Sequence, residues 1–129
     1  MGRPQHQEDH LRPHEEVRFV IDIEIADPAR FKELVLECVE ISRQEPGTLV
    51  YDWYIDETGT KGRLYEAYES MDALRTHTRG RVFSEVGPVL MEVCTFTHVD
   101  AFGDLGSPGT RAPLWPTTYW GIPFAAVSG

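Results

Sequence analysis

Basic residues are scarce in this chain: 12 Lys and Arg stand against 21 Asp and Glu, for a formal net charge of −9. The pI is about 4.9. A surface of this sign repels phosphate backbones, which argues against nucleic acid as the main partner. Cysteine is limited to Cys38 and Cys94. Both sit in periodic apolar segments, with no CxxC or Cys/His spacing, so they read as buried free thiols rather than a disulfide framework or a metal site. No apolar run approaches the ~18 residues a membrane span needs. The first residues lack the apolar stretch of a secretory signal. The expected location is therefore cytoplasmic, with no membrane partner. What remains is 129 residues, 41% hydrophobic and 26% charged, enough for one globular domain with its own core.

Residues 1–16 are polar and read as a flexible N-terminal arm. His6, His10 and His14 are spaced by four, but Pro13 interrupts any helix there, and chance composition explains them better than a metal site. From Val17 to Ala26, Phe19, Ile21, Ile23 and Ile25 alternate with polar residues, a strand with one apolar face. Asp27-Pro28 is a helix start, and Phe31, Leu34, Val35, Cys38 and Ile41 form one stripe of a helix reaching about Gln44. Pro46-Gly47 ends it. A second strand spans Thr48 to Asp56, with Leu49, Tyr51, Trp53 and Ile55 on one face. A turn with two glycines leads to a third strand, Arg63 to Glu69. Ser70 caps a short helix from Met71 to about His77, and a second helical piece begins near Arg81 and is broken or kinked at Gly87-Pro88. A fourth strand spans Val93 to Ala101.

The order β-α-β-β-α-β predicts a ferredoxin-like α+β fold over residues 17–102, an antiparallel sheet with helices on one face. The other face carries Val20, Val50, Tyr54, Val93 and Val99. An apolar face of that size predicts a homodimer packed sheet to sheet. Residues 103–129 hold four of the nine prolines and two of the three tryptophans. They read as an extended, irregular arm that could wrap its own barrel, cross to the partner or cap a pocket, and the expectation is that it docks on the dimer.

The motifs E-P-G-T-L-V-Y (45–51), Y-E-A-Y-E-S (65–70), Ala73-Leu74, His77 and V-F-S-E-V (82–86) together resemble the antibiotic biosynthesis monooxygenase family. The C-terminal arm is similar to extensions seen in some quinol monooxygenase-like members. The resemblance implies a dimeric α+β barrel with one pocket per subunit between sheet and helices, and often oxygenation without metal or flavin. Such members act on quinols, on anthrone-type intermediates, on haem, and in one branch on small phosphorylated sugars. Two departures stand out. Many members carry Trp where this chain has Tyr68. Where the haem-degrading branch needs a histidine ligand, this chain reads Val86-Gly87, which cannot ligate iron.

Cofactor-free oxygenation requires a base, a dry pocket and donors for the developing oxyanion. His77 is the expected base, because a reference pKa near ~6.5 suits proton transfer and the residue matches the family histidine. The alternative is a helix-end histidine bonded to backbone carbonyls. Tyr68 is the second candidate catalytic residue, as a hydroxyl donor or a wall. Trp53, Tyr51, Tyr65, Phe83 and Asp22 complete the candidate substrate contacts, although core packing explains one of the paired rings and solvent or dimer-face polarity explains Asp22 better than a pocket role does. His98 shares a strand face with Cys94 and Phe96 and reads as a buried, satisfied histidine. Arg79 and Arg81 read as a solvated helix start. The expected activity is cofactor-independent oxidation of a quinol or a polycyclic phenolic or anthrone-type compound by O2. Two alternatives stand beside it: a non-oxidative isomerase acting on a small polar substrate, and a non-catalytic dimer that binds a small molecule.

Overall fold

The computed structural model describes residues 15–106 and 114–127. The three N-terminal histidines and most of the expected N-terminal arm lie outside the described residues. Strand β1 (Val17–Ile25) leads into helix α1 (Pro28–Ser42), then β2 (Thr48–Ile55) and β3 (Lys61–Tyr68). Helix α2 (Met71–Thr78), a π-helical turn (Val82–Val86) and a short α3 (Gly87–Leu90) follow, then β4 (Cys94–Phe102) and β5 (Thr117–Gly121). The sheet order is β2-β3-β1-β4-β5. The first four strands are antiparallel neighbours. This is the expected ferredoxin-like α+β fold, with one strand added.

Local chemistry explains the elements. The Asp27 carboxylate caps α1 by accepting from the Arg30 backbone N–H at 3.1 Å, with Pro28 just inside the helix. Ser70 caps α2 in the same way, accepting from the Ala73 N–H at 3.2 Å. A proline ring inside a regular α-helix crowds the carbonyl four residues back. The turn ahead of Pro88 is widened, with the Gly87 N–H bonding the Val82 carbonyl, a π-helical step.

The core lies between the sheet and the helices. Ile21, Ile23 and Ile25 of β1, Phe31, Leu34, Val35 and Cys38 of α1, and Leu64, Cys94, Phe96 and Val99 are all buried there. Burial pushes the Cys38 thiol up to about 12 and Cys94 to about 11. Both cysteines are free, and at neutral pH they are protonated apolar filler.

The structure departs from the sequence reading at two places in the sheet. The register of β4 against β1 shifts between Asp22 and Ile23, so Asp22 pairs His98 while Ile23 pairs Phe96. This bulge inserts one residue and reverses the alternation beyond it. Val99 therefore turns into the core, 6% exposed, instead of onto the outer face. His98 leaves the face of Cys94 and Phe96 and joins a polar cluster with Asp100 and Thr118. Val93 also packs against the core. The outer face keeps Val50, Tyr54, Tyr65 and Phe102 exposed.

The second departure is β5. Part of the proline-rich segment forms a regular strand, paired parallel to β4 of the same chain from Val99↔Thr117 to Phe102↔Gly121. Gly103, at φ +106°, turns the chain out of β4, and a Cβ there would stand 2.7 Å from the Glu16 carbonyl. The described prolines of this segment, Pro116 and Pro123, flank the strand and leave its donors intact.

Candidate active site

Between the sheet and the helices lies a cavity of about 300 Å³. Its walls come from Ile21, Tyr51, Trp53, Leu64 and Phe96 on the sheet, and from Val82, Phe83, Pro88, Leu90 and Met91 on the helical side. Leu114 and Trp115 line it as well. Besides the Tyr51 phenol, Glu66 and His77 are the ionisable side chains among the described residues of this apolar lining.

Each of these two is placed by local structure. On α2, Ala73, Leu74 and His77 fall on the inward face at helical spacing, and His77 ends 1% exposed. On β3, Leu64, Glu66 and Tyr68 share the inward face by strand alternation. Glu45 reaches the site from the turn after α1. Gly47 makes this approach possible, because a Cβ there would stand 2.6 Å from the Ala73 Cβ. The turn packs directly on α2, and His77 Nδ1 lies 2.8 Å from Glu45 Oε1. Thr48 Oγ1 donates to the same oxygen at 3.0 Å.

An ionised carboxylate only accepts, so Nδ1 of His77 carries the hydrogen, and in the neutral ring Nε2 is the nitrogen with the free lone pair. Nε2 lies 4.0 Å from Glu66 Oε1, beyond hydrogen-bond length, and has no other partner among the described residues. Glu66 Oε1 accepts from the Tyr68 hydroxyl at 2.5 Å. Burial raises the Glu66 carboxyl above its ordinary value, against the lowering effects of the Tyr68 hydrogen bond and of His77. Burial also raises Tyr51 and Tyr68, so both phenols stay protonated. The rings of Tyr51 and Tyr68 each lie 5.2 Å from the His77 ring, and Phe83 lies 5.7 Å away.

The residues expected from sequence divide into three groups. His77, Tyr51, Trp53 and Phe83 meet at the cavity. Tyr68 is fully buried beside His77, but its hydroxyl is engaged by Glu66 and it does not line the cavity. Tyr65 and Asp22 lie on the opposite face of the sheet. Tyr65 packs edge-on to Tyr54 at 5.6 Å, and Asp22 accepts from Arg63 Nε at 2.9 Å. Strand alternation from the inward Leu64 and Ile21 dictates both placements. His77 is not the carbonyl-bonded cap of the alternative reading, since its Nδ1 bonds a side chain.

Sequence reasoning did not single out Glu45, Glu66, Leu114 or Trp115 as site residues. Glu66 was detectable as an acid between Leu64 and Tyr68 on an inward strand face. Glu45 had no such pattern, because its role depends on the close pass of Gly47 over Ala73. No group of three or more His, Cys, Asp or Glu among the described residues could hold a metal ion. No helix among them is long and apolar enough to cross a membrane.

Comparison with solved structures places the fold among known proteins. SnoaB, a cofactor-independent oxygenase from Streptomyces nogalater, is 17% identical with a TM-score of 0.62, over 73% of this chain and 97% of its own. MupZ from Pseudomonas fluorescens is 21% identical with a TM-score of 0.61, over 69% of this chain and 72% of its own. Rv0793 from Mycobacterium tuberculosis is 23% identical with a TM-score of 0.58, over 71% and 98%. Among curated protein sequences, none matches this chain. The model of the antibiotic biosynthesis monooxygenase family matches residues 17–86. The chain belongs to the antibiotic biosynthesis monooxygenase family.

Proposed function

We propose that the cavity oxidises an aromatic substrate of the anthrone or quinol type with O2, using no metal or flavin, and that His77 is the base. Membership of the family supports a monooxygenase-type function. The observation that carries the finer reading is the pairing of an open Nε2 on a fully buried histidine with a lining that, Glu66 apart, is made of apolar and aromatic side chains. A carbon acid such as an anthrone loses a ring CH2 proton to Nε2, and Glu45 stabilises the imidazolium that forms. The carbanion passes one electron to O2, and the resulting radical pair joins to form a C–O bond. The imidazolium returns its proton to the peroxide. Loss of water, taking the second hydrogen of the original CH2, leaves a carbonyl. The sum is CH2 plus O2 giving C=O plus H2O, and the histidine ends neutral.

Tyr51, Trp53 and Phe83 form the walls for a flat ring system. Tyr68 acts through Glu66 as a positioning residue, holding the carboxyl beside the reacting region. Excluding water from this site strengthens each of these polar contacts. The test is oxygen uptake by metal-stripped protein supplied with an anthrone under ¹⁸O2. One labelled oxygen in the carbonyl product supports the reading, and uptake at the autoxidation rate with no label enrichment over the blank refutes it. We also propose that the exposed outer face, with Val50, Tyr54 and Tyr65, is the surface through which two copies pair. Light scattering that gives a monomer at micromolar concentration would refute that.

A further inference from the structure

Four aromatic rings cross the cavity in sequence. Tyr51 lies 5.6 Å from Trp53, Trp53 lies 6.4 Å from Phe96, and Phe96 lies 4.8 Å from Trp115. His77 adjoins the first ring, at 5.2 Å from Tyr51. The row therefore runs from the proposed base to Trp115. This last ring belongs to the segment beyond β4, well past residue 86, where the family match ends.

We propose that Trp115 is the specificity-determining residue of the cavity and sets how many fused rings the substrate can have. The inference rests on the reading that the cavity binds aromatic compounds. A flat molecule with its acidic carbon at His77 lies along the row, and its far ring meets Trp115. A cavity of about 300 Å³ is at the small end of the ~300–1,000 Å³ usual for ligand sites, so a wall at the far end decides ring number.

The wall is held by contacts on both sides of the sheet. The Pro116 carbonyl accepts from the Val99 N–H at 2.8 Å, and the Trp115 carbonyl accepts from Thr117 Oγ1 at 2.7 Å. On the outer face, Asp100 Oδ1 accepts from Trp120 Nε1 at 2.9 Å, and His98 Nε2 lies 3.1 Å from Thr118 Oγ1. The Trp120 ring also stacks on Phe102, with centroids 6.4 Å apart and planes at 12°. These anchors do not line the cavity. A change at Trp120 therefore reaches a ligand through the position of the segment that carries Leu114 and Trp115.

The test uses the full chain and two oxidised probes that cannot turn over, a hydroxynaphthoquinone with two fused rings and a hydroxyanthraquinone with three. Their Kd values are measured by calorimetry for the wild type and for Trp115→Ala, Trp115→Phe and Trp120→Phe. Trp115→Ala is expected to shift the ratio of the two Kd values toward the three-ring probe by roughly tenfold, the scale on which pocket size discriminates. Trp115→Phe should shift it less, and Trp120→Phe should shift it in the same direction as Trp115→Ala. An unchanged ratio in a folded Trp115→Ala overturns the proposal, as does failure of both probes to bind the wild type. If Trp115→Ala does not fold, an unchanged ratio in Trp120→Phe overturns it. Oxygen uptake plays no part in this readout, so a failed oxygenase reading and a failed specificity reading give different results.

Discussion

His77 and Glu45 are 32 residues apart in sequence, yet Nδ1 and Oε1 lie 2.8 Å from each other. This bond fixes the histidine tautomer, turns Nε2 toward the side of Glu66, and places a negative charge behind the ring. Glu45→Gln keeps an acceptor for Nδ1–H and removes the charge. We expect kcat to fall roughly tenfold to a hundredfold with little change in KM, part of the ~10²–10⁴ that a positioned base contributes. Steady-state oxygen uptake measures it, and an unchanged kcat would remove Glu45 from the mechanism.

Gly47 is the steric condition for that bond. Gly47→Ala puts a methyl 2.6 Å from the Ala73 Cβ, so the turn and α2 must separate. We expect a stability loss of roughly 1–3 kcal/mol, as for other overpacked contacts, together with lower activity. Adding Ala73→Gly should restore activity while retaining a helix cost of ~1 kcal/mol. Denaturant melts and turnover of the single and double variants check both effects.

Glu66 gives a pH signature. Its folded-state pKa is raised by burial above the ordinary 4.5. The folded chain therefore holds a proton that the unfolded chain has already released, and stability falls as pH rises from about 4.5 toward the folded value. Glu66→Gln removes this dependence and leaves a carbonyl to accept from Tyr68. The variant should melt higher than the wild type at pH 8 and close to it at pH 4. A difference that does not vary with pH would contradict the buried-carboxyl reading.

Much of the fold was legible because its signals are local. The Asp27-Pro28 and Ser70 caps, the apolar stripe of α1 and the period-two pattern of β1 each act within a few residues, and each element formed where they point. The bulge opposite Asp22 was not legible, because it is a property of strand pairing and not of the β4 sequence alone. That one inserted residue moved Val99 inward and His98 outward. β5 was hidden by composition: prolines argue against a strand only where they remove a ladder donor, and here they flank it. At the site, inward alternation was enough to bring Tyr51 and Trp53 to the cavity. The same rule, applied to β3, excludes Tyr65 and admits Glu66, a consequence missed when aromatic residues were favoured over an acid. Glu45 and Trp115 depend on long-range approach, and no window of sequence contains that information.

The proposed reaction turns on Nε2 of His77, which removes the proton that makes the substrate reactive toward O2. The most direct measurement is oxygen uptake by His77→Phe beside the wild type, both metal-stripped, with an anthrone and a reduced naphthoquinol, after far-UV circular dichroism and a thermal melt confirm folding. Saturable uptake by the wild type is expected, with a fall of at least ~10²-fold in kcat for the folded variant, the loss that follows when a general base is removed. Wild-type turnover retained by folded His77→Phe would contradict the assignment of the base.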